Sequence, residues 1–290
     1  LVANDQRGVL SHGTAQLRRY VGQYRRGHLN PAPAVRLVTE TPATAVVDGD
    51  GGLGHFAAQR ATELAITKAK EVGTAAVLTK HHGHLGAAGT WTRLPLPAGC
   101  AAMCTSGVDR SSHRGRHQVT PSILFAGAGG PISFAVPARE EPPFVMDIAC
   151  SPGYGRGELE QRMQIAPKAV IRLMNLSVVT MSLGGILAGV SQLPEVEDRT
   201  WPGANQGGLI VVFDLACFMP LDEFLTEMDD YLRSARELLP LPGHDRALLA
   251  GMLEAEREQE WEVSGIPLSP EHLAMLDELA AEAAMSPLAR

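Results

Sequence analysis

In TAQLRRYVGQYRRG, residues 14–27, Leu17, Tyr20, Val21 and Tyr24 fall at helical spacing, with Arg18, Arg19, Arg25 and Arg26 mostly elsewhere. The spacing predicts an amphipathic helix ending at Gly27. Two short strand patterns, AVRLVTE and TAVVDG, flank Pro42. From Gly54 to about Glu71 a helix is expected, with Ala57, Ala61 and Ala65 forming a four-residue seam of small side chains beside Phe56 and Leu64. Small residues on that seam let a helix lie close to a sheet. TAAVLTK, GCAAMCTS, ILFAG, ISFAVPA, FVMDIA and GGLIVVFDL read as strands. Lys168–Gly185 and Leu221–Leu239 read as helices. Asp222 and Glu223 open the second of these, and Arg233 and Arg236 stand near its end, which suits the helix dipole. Ser269 before Pro270 predicts an N-cap with proline at the first helical position, opening a last helix to about Ala284.

This mixture, without strict strand–helix alternation, gives an α/β (mixed α+β) class. Residues 46–185 are expected to form a cofactor-binding region. Residues 1–45 and 186–290 would form a helical, substrate-side and dimer-side region.

The chain has 290 residues and a formal net charge of −7 without a long basic block, so a nucleic-acid partner is not expected. Cys100, Cys104, Cys150 and Cys217 suggest buried thiols rather than a disulfide framework. The apolar run around Leu183–Val190 looks too short and glycine-rich to span a bilayer. No secretory signal is visible, and a cytoplasmic protein is expected.

The stretch VVDGDGGLGHFAAQRA carries Gly49, Gly51 and Gly54 between a strand pattern and a helix pattern, which is the spacing of a dinucleotide-binding turn. The acidic residue expected at the end of the next strand is missing, because TAAVLTK ends in Lys80. Asp48 and Asp50 also crowd a loop that would have to hold pyrophosphate. The competing reading is a tight turn whose aspartates cap backbone amides.

Five of the ten histidines lie between residues 81 and 117. A metal reading would join His81, His82 and His84 to His113 and His117, but no acidic or thiol ligand stands at metal spacing nearby. Acid/base chemistry fits better: a histidine behind a buried strand, followed by small residues, leaves room for a ligand against a ring that titrates near neutrality. A second histidine, His12, precedes a helix that Ser11 is placed to cap.

Taken in order, Ser11-His12-Gly13, the run Asp48–Gly54, His84-Leu85-Gly86-Ala87-Ala88-Gly89, Ala128-Gly129-Gly130-Pro131, Asp147-Ile148-Ala149-Cys150-Ser151 and Lys168 resemble the malate/L-lactate dehydrogenase family. That family is unrelated to the Rossmann lactate dehydrogenases and includes ureidoglycolate, sulfolactate and piperideine-2-carboxylate enzymes. The resemblance spans nearly the whole chain. It implies a non-Rossmann fold, NADH or NADPH as cofactor, a small-molecule substrate and a homodimer with no membrane or nucleic-acid partner. It makes His84 the acid/base and places His12 in the same pocket. Gln16, Arg18 and Tyr20 would fall on the substrate side. Ser11, Thr105, Ser106, Gly129, Pro131, Asp147 and Lys168 would fall at cofactor positions. No metal is implied.

The chain departs from the family at three places. Gln16 stands where the family usually carries an arginine suited to a substrate carboxylate. The family's GTNP turn is AGGP here, with two side chains lost. Only sixteen residues separate Ser151 from Lys168, where the family has a longer excursion. The expected activity is reduction of a small 2-oxo acid or cyclic imine by hydride transfer. The alternative is a divergent member that carries out cofactor-independent cyclisation, isomerisation or elimination in the same histidine-rich pocket.

Overall fold

Small side chains set the centre of the fold. Helix α3 (Gly54–Val72) buries Ala57, Ala58, Ala61, Ala65 and Ala69 completely against the sheet, so the expected alanine seam is the contact surface, and it is wider than three residues. Phe56, expected beside that seam, is half exposed. The seam meets Val47 of β2 (Thr44–Asp48), Val77 of β3 (Thr74–His82) and Ile210 and Val212 of β7 (Gln206–Asp214) in one apolar cluster. The computed structural model describes residues 1–109, 129–151, 156–193 and 196–288. His113, His117 and the expected strand ILFAG lie outside the described residues.

With β1 (Arg36–Glu40), β4 (Cys100–Val108), β5 (Pro131–Val136) and β6 (Phe144–Ala149), the strands form one seven-stranded sheet in the order β1-β2-β3-β7-β4-β5-β6. Among the described strands, only β2 and β3 run parallel; every other neighbouring pair is antiparallel. A doubly wound Rossmann sheet is parallel, so this is a mixed α/β fold of another kind. β7, distant in sequence, pairs with β3 on one side and β4 on the other.

Helices α1 (Val2–Gln6), α2 (Leu17–Arg25), α4 (Ala88–Arg93), α5 (Arg156–Ile165), α6 (Pro167–Thr180), α7 (Leu221–Arg236), α8 (Met252–Ser264) and α9 (Pro270–Glu282) surround the sheet. α9 begins as expected, with Ser269 Oγ accepting from the His272 N–H and Pro270 in the first turn. Ser11 does not cap α2. Residues Leu10–His12 and Thr14–Gln16 are two short 3-10 turns, α2 starts at Leu17, and the Ser11 hydroxyl bonds the neighbouring His12 ring instead. α6 continues through a π-type turn, Met181–Ile186, making 20 residues of helix long and apolar enough to cross a membrane, more than the short run expected. Its C-terminal end is nevertheless part of the fold, because Gly184 and Gly185 lie directly against Ser106 and Gly107 of β4. Cys100, Cys104 and Cys150 are buried thiols, whereas Cys217 is exposed.

Candidate active site

The turn DGDGGLG joins β2 to α3 and lies along the segment that follows β3. Its amides are consumed by that segment and by the turn itself. Gly49 N–H donates to Lys80 O, Gly51 N–H to His81 O and Gly54 N–H to His84 O, while Gly52 N–H returns to Gly49 O. A phosphate would find no free row of donors there. The aspartates are likewise engaged. Asp48 Oδ1 accepts from Asp50 N–H, and Asp50 Oδ2 accepts from Ala34 N–H. Burial opposes ionisation of Asp48, but the His81 ring, the Asp50 N–H and Lys80 outweigh it and hold its pKa below the ordinary carboxylate value. Gly54 is required by close approach: a Cβ there would stand 2.4 Å from Gly83 O and 2.8 Å from His82 Nδ1. The turn is thus a brace under the backbone that carries His84.

The three clustered histidines part company. His81 Nδ1 lies 3.1 Å from Asp48 Oδ2. His82 is fully buried, with Nε2 at 2.8 Å from Thr79 Oγ1 and Nδ1 at 2.7 Å from Gly83 O. Burial pushes its pKa down to about 4, so it is a neutral core residue. His84 instead faces a cleft of about 630 Å3. Among the described residues no group of three or more His, Cys, Asp or Glu converges as a metal site.

His84 Nδ1 lies 2.7 Å from Tyr20 Oη, and its ring centre is 5.5 Å from that of His12, tilted by 32°. Burial, then the Arg19 guanidinium and the neighbouring His12, His55 and His82, depress the His84 pKa to about 3. Burial also pushes the Tyr20 phenol up to about 12, so the pair is neutral on both sides at physiological pH. His12 is lowered by burial, an effect that Asp147 opposes. Asp147 is open to solvent through the cleft but enclosed by protein on its other sides. Burial raises its pKa, partly offset by the Gly89 N–H, which donates to its Oδ2 at 2.6 Å.

Two residues of α1 hold this arrangement from behind. Asn4 donates from Nδ2 to His12 O and accepts from Thr90 Oγ1 of α4, each at 3.0 Å. Asp5, buried, accepts from Thr14 N–H and Thr14 Oγ1. Neither carries a sequence signal, because both act across distant segments.

Of the residues expected from sequence, Ser11, His12, His84, Ser106, Gly129, Pro131 and Asp147 line the cleft together. Tyr20 stands behind His84. Thr105 is buried beneath the wall, its hydroxyl donating to Pro131 O at 2.8 Å. Gln16 turns away, its amide donating to Ser11 O at 2.6 Å. Arg18 is exposed and pairs with Glu278 of α9. Lys168 is exposed in the first turn of α6 and does not line the cleft. The AGGP turn has a steric reason. A Cβ on Gly129 would meet Ser177 O at 2.3 Å, and one on Gly130 would meet Ser106 O at 1.9 Å.

The cleft is of the size of small-molecule and cofactor sites, about 300–1,000 Å3. Its floor is backbone and small side chains, with Gly86, Ala87, Gly107 and Gly130 among them, so a flat extended ligand such as a dinucleotide can lie close to the chain. Ser106, Asp147 and Arg93 supply polar groups along it. These residues fit a nicotinamide dinucleotide.

The model of the malate/L-lactate dehydrogenase family matches residues 1–166 and 157–277, and the chain belongs to that family. The malate dehydrogenase of Pyrococcus horikoshii is 28% identical over 318 aligned residues, covering 97% of this chain and 86% of that protein. Its solved structure superposes with a TM-score of 0.82 at 25% identity, over 99% of this chain and 88% of the other. The NAD(+)-dependent ureidoglycolate dehydrogenase of Escherichia coli is 24% identical, over 92% of this chain and 83% of its own length. A Δ1-piperideine-2-carboxylate reductase from Pseudomonas syringae, 19% identical, shares the fold with a TM-score of 0.70 over 96% of this chain and 90% of the other. These similar proteins are dehydrogenases and a reductase.

Proposed function

We propose that the protein is a nicotinamide-dependent oxidoreductase that interconverts a small 2-hydroxy acid and its 2-oxo acid, or reduces a cyclic imino acid, with His84 as acid/base. The observation that carries this reading is His84 in the cleft wall, its Nδ1 held by Tyr20 at 2.7 Å beside His12. Family membership and the NAD(+)-dependent relative support the cofactor.

When bound, the cofactor supplies the acceptor or donor of hydride at the substrate carbon. His84 supplies the matching proton transfer. With Nδ1 engaged by Tyr20, Nε2 is the nitrogen left to meet a ligand. In oxidation, Nε2 takes the hydroxyl proton while Nδ1–H donates to Tyr20 Oη. In reduction, the same proton passes from the imidazolium to the 2-oxo oxygen or imine nitrogen. The low pKa favours the neutral base, which suits oxidation. For reduction, a substrate carboxylate must raise the affinity of His84 for its proton. His12 lines the same wall as a polar contact to substrate.

Exposed Ile171, Val178, Val179, Ile186 and Leu187 on the long helix support association of two copies, which sedimentation would test.

The decisive assay is NADH and NADPH oxidation over a panel of 2-oxo acids and cyclic imines, with nicotinamide fluorescence for binding. Turnover with at least one substrate is expected. Lack of binding of both cofactors at near-millimolar concentration would overturn the reading and leave cofactor-independent acid/base chemistry in the same cleft.

A further inference from the structure

Arg93 ends helix α4, and it is the one Lys or Arg side chain that lines the cleft among the described residues. Its guanidinium is partly buried, and its only hydrogen bond among the described residues runs from Nη1 to Gly89 O at 3.2 Å. It forms no ion pair there, although the Arg7 guanidinium and the carboxylates of Glu254, Glu258 and Asp147 lie close enough to act on it. A Cβ built on Gly89 would stand 2.9 Å from both Arg93 Nη1 and Asp147 Oδ2, so cation and carboxylate converge over this glycine without pairing. Asp147 in turn acts on His12, which places Arg93 on the wall that leads to the two histidines.

Withdrawing a guanidinium from water costs free energy that a paired carboxylate normally offsets. Here the protein provides a backbone carbonyl and leaves most of the fork unengaged toward a ligand-sized cleft. The other candidate cations do not do this: Arg18 is tied to Glu278, and Arg19 is exposed and outside the lining. We propose that Arg93 is the specificity-determining residue of the cleft, binding the carboxylate of the small acid substrate and supplying the charge that Gln16 lacks. This rests on the reading of the protein as an oxidoreductase of small acids.

Asp147 and Glu254, which also line the cleft, refine the substrate class. A bare anion beside two carboxylates would be repelled. A ligand that carries a hydrogen-bond donor next to its carboxylate satisfies both signs at once. A 2-hydroxy acid does so, as does a cyclic imino acid once its nitrogen has taken the proton from His84, whereas a dicarboxylate adds a second negative group that Arg93 alone must neutralise.

The test is calorimetric titration of the full chain with oxamate, a carboxylate carrying a neighbouring amide donor, which needs no turnover. Arg93→Met is expected to weaken oxamate binding by about 10- to 100-fold, the range for a hydrogen-bonded charge. Arg93→Lys should lose less, and NADH and NADPH affinity should move by less than about twofold. Unchanged oxamate affinity in Arg93→Met overturns the proposal. So does absent oxamate binding by the parent protein at millimolar concentration, or an effect confined to the cofactors, which would make a cofactor phosphate the anion. If the methionine variant does not fold, the lysine variant decides: affinity equal to that of the parent overturns a bidentate contact. Oxamate binding that depends on Arg93 in a protein that binds neither nicotinamide cofactor would uphold this assignment while the redox reading fell.

Discussion

Tyr20 Oη and His84 Nδ1 stand 2.7 Å apart, joining α2 to the segment behind β3 and leaving the second ring nitrogen of His84 for the cleft. The hydrogen bond fixes the ring's orientation, and the neutral phenol can donate or accept as the tautomer changes.

Removing the imidazole should abolish proton transfer. His84→Ala is expected to lower kcat by about 10²–10⁴-fold, the usual contribution of a positioned acid/base. Nicotinamide binding, followed by fluorescence, should change little. Full activity of the variant with any substrate would remove His84 from the mechanism.

Tyr20→Phe keeps the ring packing and deletes the bond to Nδ1. A net hydrogen bond is worth about 0.5–1.5 kcal/mol, so kcat/KM should fall roughly 2- to 13-fold if only orientation is lost. The readout that separates positioning from simple stability is the pH profile, which should shift in the variant because the phenol no longer interacts with the titrating ring.

The pH dependence has a definite sign. With its pKa depressed to about 3, His84 is already a neutral base throughout the neutral range. In oxidation of a 2-hydroxy acid, kcat/KM should therefore show no acid limb near pH 6.5. In reduction, which needs the protonated ring, it should rise as pH falls from 8 to 5. A bell centred on an ordinary histidine pKa in both directions would contradict the geometry.

Stability should follow the same logic through buried His82. Its pKa is lowered to about 4 in the folded protein from 6.5 when unfolded, so the unfolded chain binds more protons between those values. Its stabilising effect is fully present above about pH 6.5 and is lost as pH falls toward 4, with a slope of at most about 1.4 kcal/mol per pH unit. Melting temperatures measured from pH 7.5 to 4.5 should fall, and the fall should be shallower in a folded His82→Gln variant.

The brace beneath His84 is testable at Gly54. Gly54→Ala places a methyl 2.4 Å from Gly83 O, and overpacking of this kind costs about 1–3 kcal/mol. Because Gly54 N–H also bonds His84 O, activity should drop together with the melting temperature. A fully active variant of unchanged stability would show that the turn carries no such constraint.

The parts of this molecule written in short-range pattern were legible in its sequence. The alanine seam of α3, the strands on either side of it and the turn that leads to His84 follow from local periodicity, glycine spacing and steric need. The direction of the strands was not, since β7 reads like any buried strand and nothing near it says that it enters between β3 and β4. α8 escaped because LEAEREQEWEVS is charged on most faces and buries little beyond Met252. Asn4 and Asp5 escaped because their partners lie 8 to 86 residues away. Arg93 escaped because an arginine at the end of a short helix ordinarily means a solvated charge. Its place in the cleft depends on Gly89 being small and on β6 bringing Asp147 alongside.

The position of β7 has a consequence for how the chain acquires its site. His84 follows β3, while Ser106 lies near the end of β4 and Asp147 sits on β6, and among the described strands β3 and β4 are joined in the sheet through β7. During synthesis, the sheet would stay in two parts, bridged by α4 through the Gly89 N–H bond to Asp147, until residues 206–214 emerge and insert between them. Late, long-range strand insertion slows folding and leaves open edges meanwhile. A chain stopped before residue 206 should hold both walls without the strand that joins their sheets and sets the spacing of the cleft.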